Sequence, residues 1–242
     1  MGFFLGGGIG IKSRQDFLMI LLWIVVLFVS ILVHELGHAL TSRKMTGVTP
    51  SIKLWGMGGL AYPNTQLTQK QSFWVTWAGP LAGLGFFGLI VLSCCAIYGF
   101  TIGTNLTIFL LFPSSGVYRE TYTVLAEMNR SHLYMIDKLL WVNFWWSLMN
   151  LLPVFPLDGG QIYASIERSP KRVWTVGMVT GALVAIAGFF ILHQIFIAIL
   201  FGYLAFQNCY FMTAYFFHFY TLLTYLISFF LYILPLPRRH IF

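Results

Sequence analysis

The run His34-Glu35-Leu36-Gly37-His38 sets two imidazoles four residues apart with a carboxylate between them. Four residues is about one helical turn, so on a helix both rings project from one face and can share a metal ion. Zinc suits such a pair: a catalytic site uses three protein ligands and keeps a fourth position for water. A carboxylate beside the ligands can then take that water's proton. The chain has seven acids: Asp16, Glu35, Glu120, Glu127, Asp137, Asp158 and Glu167. Only Glu35 falls inside a strongly apolar helical stretch, where a carboxylate is costly and marks function by default. His132, His193, His218 and His240 stand alone and read as packed or interfacial residues. Cys94, Cys95 and Cys209 all lie in apolar stretches and offer neither a disulfide framework nor a zinc-ribbon spacing.

The elements that must carry these residues are membrane helices. Of 242 residues, 58% are hydrophobic and 9% charged, with 24 Phe, 12 Tyr and 8 Trp, whereas soluble domains run near ~25% charged. At this length a separate PDZ-type or regulatory domain is not expected. The net charge of +7 comes from 14 basic residues scattered in short clusters between apolar runs. That pattern belongs to loops facing lipid headgroups and excludes a nucleic-acid partner. A spanning helix needs about 20 apolar residues, which gives spans at 17–40, 72–100 and 139–152, the third stopped by Pro153 and Pro156. Lys12 and Arg14 ahead of the first run resemble a signal peptide, but no small-residue cleavage site follows, so it reads as an uncleaved span.

The apolar tract from Val173 to Leu234 is 62 residues long and divides into three spans, with turns expected near His193-Gln194 and around Met212 to Ala214. Val48 to Tyr62 is rich in Gly and partly alternating, which predicts a short β-hairpin or re-entrant segment. The expected fold is thus an all-α polytopic membrane protein of about six transmembrane helices. Residues 1–172 would form a three-span catalytic core and 173–242 the C-terminal transmembrane helices.

Crossing arithmetic then selects a third ligand. His34 follows 17 apolar residues, so it lies about 25 Å along the helix, near the far edge of the hydrocarbon. Span two returns and span three crosses back, which delivers Asp158 to the same side as His34. It arrives in Leu157-Asp158-Gly159-Gly160, where Gly would permit backbone that a helix forbids. Glu167 shares that side but sits in a charged loop with Arg168, so Asp158 is the better ligand. Asn143, Ser147 and Asn150 form a polar stripe on span three. An interhelical hydrogen-bond seam accounts for Asn143 and Ser147 as well as any chemistry does, while Asn150, nearest the metal end, is a candidate substrate or oxyanion contact. Small residues four apart, Gly79 and Gly83 and then Gly177 and Gly181, need no more than close helix packing.

These residues together resemble the site-2 proteases, zinc metalloproteases that cut inside membranes. The resemblance rests on the His34-to-His38 motif, on Ala78-Gly79-Pro80-Leu81-Ala82, and on Asn150-Leu151-Leu152-Pro153-Val154-Phe155-Pro156-Leu157-Asp158-Gly159-Gly160. They occur in the family's order and cover roughly residues 17 to 172. The compact chain looks most like minimal bacterial members without PDZ or CBS domains. It departs from many members in having Gly83 where they carry Asn, and where many have a span ahead of the His-Glu-x-x-His helix only 16 residues precede it here.

The combined reading is an intramembrane protease holding one Zn²⁺ per chain through His34, His38 and Asp158, with Glu35 as general base. Its substrate would be a transmembrane protein or peptide within the bilayer. Because such a helix hides its carbonyls, it must unwind, and the segment around Gly58 and Gly59 could receive it as an added strand, a role the resemblance also implies. The rival class is a non-catalytic zinc scaffold or transporter, which would need no general base between its ligands. A His-box oxygenase would need further His clusters. Basic residues number seven on the site's side (Arg43, Lys44, Lys53, Lys70, Arg168, Lys171, Arg172) against five opposite (Lys12, Arg14, Arg119, Arg130, Lys138). Arg238 and Arg239 cancel that bias if there are six spans. The resemblance implies a site facing the cytosol across a bacterial inner membrane. A regulatory partner and homo-oligomerisation are left open.

Overall fold

The computed structural model describes residues 13–55, 58–112 and 119–233. Helix α1 (Arg14–Thr46) begins at a capping box in which Ser13 and Asp16 exchange side-chain and backbone hydrogen bonds. It ends at Gly47, whose positive φ of 73° closes a left-handed cap. Strands β1 (Ser51–Trp55) and β2 (Gly58–Tyr62) pair antiparallel, with Ser51 opposite Tyr62 and Trp55 opposite Gly58. The Gly-rich segment is therefore a hairpin, and it packs along α1. Helix α2 (Gln69–Tyr98) opens on a second capping box, Thr68 with Gln71, and carries Pro80 in its interior. Short helices α3 (Phe100–Leu111) and α4 (Arg119–Glu127) follow.

Helix α5 (Arg130–Trp141), a π-turn at Val142–Trp146 and α6 (Ser147–Asn150) form one uninterrupted helical run. The run stops three residues before Pro153, as a proline-led exit requires. After the turn comes α7 (Asp158–Ile166). Then α8 (Pro170–Phe190) and α9 (Ile195–Ile233) form an antiparallel pair.

Among the described residues, four helical segments are long and apolar enough to cross a membrane: Arg14–Thr46, Gln69–Tyr98, Pro170–Phe190 and Ile195–Ala214. The break expected near His193-Gln194 is present, with His193 at φ 51°. The turn expected at Met212 to Ala214 is not, because α9 runs through it for 39 residues. Apolar content measures membrane affinity, not where a helix stops, and no Gly or Pro interrupts this tract after Gly202.

The chain forms two compact units, one running to Leu152 and resuming at Leu157–Ile166, the other made of Pro153–Pro156 and the chain from Glu167 onward. In the first unit α1, the α5–α6 run and α7 all pack against α2. Its interior includes Trp23, Val26 and Val142 against Leu27, Tyr134, Met135, Leu139 and Trp146. In the second unit, buried Asn208 on α9 donates from Nδ2 to the carbonyls of Phe155 (2.6 Å) and Leu204 (2.8 Å). Gly177 leaves room for its amide, so the small residue on α8 serves a polar tether.

Candidate metal centre

Helix α1 carries His34 and His38 on one face, and α7 opens with Asp158. All three side chains are buried, at 5%, 8% and 8% exposure, in a protein whose apolar surface is otherwise widely exposed. His34 Nε2 stands 3.0 Å from Asp158 Oδ2 and 3.2 Å from His38 Nε2, and His38 Nε2 is 3.5 Å from Asp158 Oδ1. One donor atom from each residue falls within 4.8 Å of the others, a grouping found once among the described residues.

The donor set fits a zinc ion. A tetrahedral ion with N and O ligands at about 2.0–2.1 Å has ligand-to-ligand edges of about 3.3–3.4 Å, close to the separations seen. His38 Nδ1 donates to the carbonyl of Val75 at 2.8 Å, which places the proton there and turns a bare Nε2 lone pair toward the cluster. Asp158 Oδ2, although near His34 Nε2, has no aligned hydrogen-bond donor among the described residues, so its lone pairs stay available. A bare Nε2 on His38, the Nε2 of His34 and a carboxylate gathered at one buried point are an arrangement a cation resolves.

Close backbone approach is what lets these helices converge. A Cβ on Gly37 would collide with the Ala78 carbonyl of α2, one on Gly79 with the His38 ring, and one on Gly159 with the Leu151 carbonyl. Gly79 therefore does more than pack helices: it vacates the volume that a candidate ligand's ring occupies. The backbone at Gly159 and Gly160 also differs from the expected one. They sit in a regular helix with ordinary φ values, and Gly159 is required because α7 starts against the preceding turn.

Glu35 is buried, at 6% exposure, in the same turn of α1 as both imidazoles. Glu167, by contrast, accepts from the Ser169 backbone N–H at 2.9 Å and pairs with Arg172 at 3.4 Å, contacts that hold its carboxyl below the usual range. Asn143 donates from Nδ2 to Ser30 Oγ on α1 and to the Leu139 carbonyl, both at 2.9 Å, which makes it a seam residue. Buried Ser147 faces Gly83 across the α2 contact. Asn150, half-buried at the end of α6, donates to the Trp146 carbonyl at 2.9 Å. Gly58 and Gly59 lie in β2, opposite Trp55 and Leu54. His132 and His193 are exposed, while the side chain of His218 and all of His240 lie outside the described residues. The cysteines Cys94, Cys95 and Cys209 are free thiols.

Sequence reasoning did not single out Val75 or Ser30. A backbone carbonyl leaves no side-chain signal, and one serine in an apolar helix is unremarkable by type. Gly79 was visible as half of a small-residue repeat and as part of the Ala78-to-Ala82 motif, but neither sign pointed to the His38 ring.

Comparison with known proteins gives a consistent picture. The profile of Peptidase family M50 matches residues 22–188. A zinc metalloprotease by name from Mycobacterium tuberculosis is 28% identical over 145 residues, covering 57% of this chain and 29% of that protein. One from Synechocystis is 31% identical over 144 residues, covering 59% and 30%. One from Methanocaldococcus jannaschii is 25% identical over 159 residues, covering 66% and 38%. The matched stretches thus span between about three-tenths and two-fifths of those relatives. In fold the chain is similar to the site-2 protease from Methanocaldococcus jannaschii, with a TM-score of 0.51 and 21% identity over 86% of this chain and 85% of that one.

Proposed function

The chain belongs to Peptidase family M50, and from that premise we propose that it is an intramembrane zinc metalloprotease that hydrolyses peptide bonds within or near transmembrane segments of membrane-protein substrates. It is an integral membrane protein with several apolar helices. The observation that carries the proposal is the buried convergence of His34, His38 and Asp158, with Glu35 buried in the same helical turn. In this reading His34, His38 and Asp158 hold one Zn²⁺ per chain. Bound there, zinc supplies a Lewis acid and lowers the pKa of a water toward about 7.

The chain's own residues do the rest. Glu35 takes the proton of the attacking water and returns one to the leaving amine. Asn150, at the end of α6, turns its amide from the Trp146 carbonyl to the substrate or the developing oxyanion. The β1–β2 hairpin, through Gly58 and Gly59, pairs with the stretch of substrate that has unwound, replacing hydrogen bonds that stretch loses. Residues 1–172 form the catalytic core and 173–242 the C-terminal transmembrane helices, with the α5–α6 run as the third core span. Six spans in all would require α9, about 58 Å long at 1.5 Å per residue, to cross the bilayer and bend or break beyond it. The site faces the cytoplasm across a bacterial inner membrane.

A zinc scaffold or transporter would use the three ligands but has no need of a buried carboxylate in their turn, so Glu35 favours the protease. Glu35→Gln tests this choice. The variant should keep about one zinc per chain and cut a transmembrane peptide about 10²- to 10⁴-fold more slowly. Near wild-type cleavage with metal bound would overturn the proposal.

A further inference from the structure

Three features of one short stretch of α2 bear on a single ring of α1. The Val75 carbonyl accepts from His38 Nδ1 at 2.8 Å. Gly79, one turn on, lacks the Cβ that would otherwise lie on His38 Nε2, Cε1 and Cδ2. Pro80 brings no N–H to the Thr76 carbonyl four residues back, and its ring crowds that carbonyl, which opens a helix on the turn where Val75 sits. An acceptor, a missing side chain and a missing donor therefore lie within six residues, all in a buried contact: Val75, Thr76, Gly79 and Pro80 are each buried.

We infer that the Val75-to-Pro80 turn of α2 is the positioning element for His38, fixing its tautomer and the direction of its Nε2 lone pair. Gly79 is the positioning residue on which this depends. The inference rests on reading His34, His38 and Asp158 as zinc ligands. It adds that ligand geometry is set by a neighbouring helix and not by the metal-binding helix alone. The Val75 contact cannot be removed by changing a side chain, which is why Gly79 and Pro80 are the handles. Ala is the better helix former than Gly, so loss of function in Gly79→Ala would run against its backbone effect.

Gly83 provides the control. It lies one turn further along α2, where a Cβ would meet Ser147 Oγ and not a candidate ligand. The experiment measures zinc affinity by chelator competition on detergent-purified protein, with the visible absorption spectrum of the Co²⁺-substituted form as a report on ligand geometry. Gly79→Ala should weaken zinc binding about 10- to 100-fold, the usual range for a lost orienting shell, and change the cobalt spectrum. Gly83→Ala should leave both as in wild type, whatever it does to thermal stability. Pro80→Ala adds no bulk, so it covers the case in which Gly79→Ala does not fold. It should lower affinity severalfold and shift the spectrum in the same sense.

Wild-type affinity and spectrum in folded Gly79→Ala, or in Pro80→Ala if the former does not fold, would overturn the inference. So would equal losses in Gly79→Ala and Gly83→Ala, which would mean general packing. A wild-type protein that bound neither zinc nor cobalt would refute the ligand reading itself, a distinguishable failure.

Discussion

The ligand cluster and the hairpin are built on opposite terms. At the cluster each ring or carboxylate is buried between helices, and glycines at 37, 79 and 159 bring backbones close enough to trap it. At the hairpin two five-residue strands pair with each other, and neither meets a third strand among the described residues. An unpaired strand edge is a template for another chain. Under the proposed function the contrast separates two tasks: a site that orients a metal profits from having one geometry, whereas a surface that receives varied unwound peptides profits from backbone hydrogen bonds indifferent to sequence.

If that division holds, damage at the two regions should separate metal content from turnover. The largest effect belongs to the cluster. His34→Ala combined with His38→Ala should lose essentially all bound zinc and all cleavage, measured by metal analysis of purified protein beside a peptide assay. Retained zinc would break the comparison at its first term. Next comes the hairpin. Leu60→Pro or Ala61→Pro removes a backbone donor from β2 and should leave zinc content normal while slowing cleavage about tenfold, by analogy with lost edge pairing. The defect should shrink for substrates with Gly or Pro near the cut. Wild-type cleavage of all substrates would return the hairpin to a simple linker between α1 and α2. The smallest effect lies outside both regions. Asn143→Ala removes the bond to Ser30 Oγ at 2.9 Å and should cost about 0.6–1.5 kcal/mol of stability, the range for such bonds inside membranes. Zinc content should be unchanged, and the readout is thermal or denaturant unfolding.

The cluster was more legible in the sequence than the elements around it. Two histidines four apart declare a shared helical face, and counting crossings from Phe17 leads to Asp158 without any knowledge of contacts. The structure does bring these three side chains together. Alternation and glycines pointed to a hairpin or re-entrant segment at 48–62, of which the structure has the hairpin, at 51–62, and the break near His193 was marked by polar residues. Other features leave no such trace. The end of a helix in a uniformly apolar tract is set by packing and lipid, so the turn expected at Met212 to Ala214 had no residue to enforce it. Gly159 was legible as glycine but not as the reason α7 can begin beneath Leu151, because that depends on two segments meeting. The Val75 carbonyl carries no residue-specific sign at all, although it orients one of the two histidines.

The central claim is that zinc sits on His34, His38 and Asp158, and X-ray absorption at the zinc edge addresses it most directly. The chain also has three free thiols, at Cys94, Cys95 and Cys209, so the alternative ligand class is present. The prediction is a first shell of N and O scatterers only, at about 2.0–2.2 Å, with the outer-shell signature of two imidazoles falling by half in His38→Ala loaded with excess zinc. A sulfur shell at about 2.3 Å, or an imidazole signal untouched by that substitution, would contradict it.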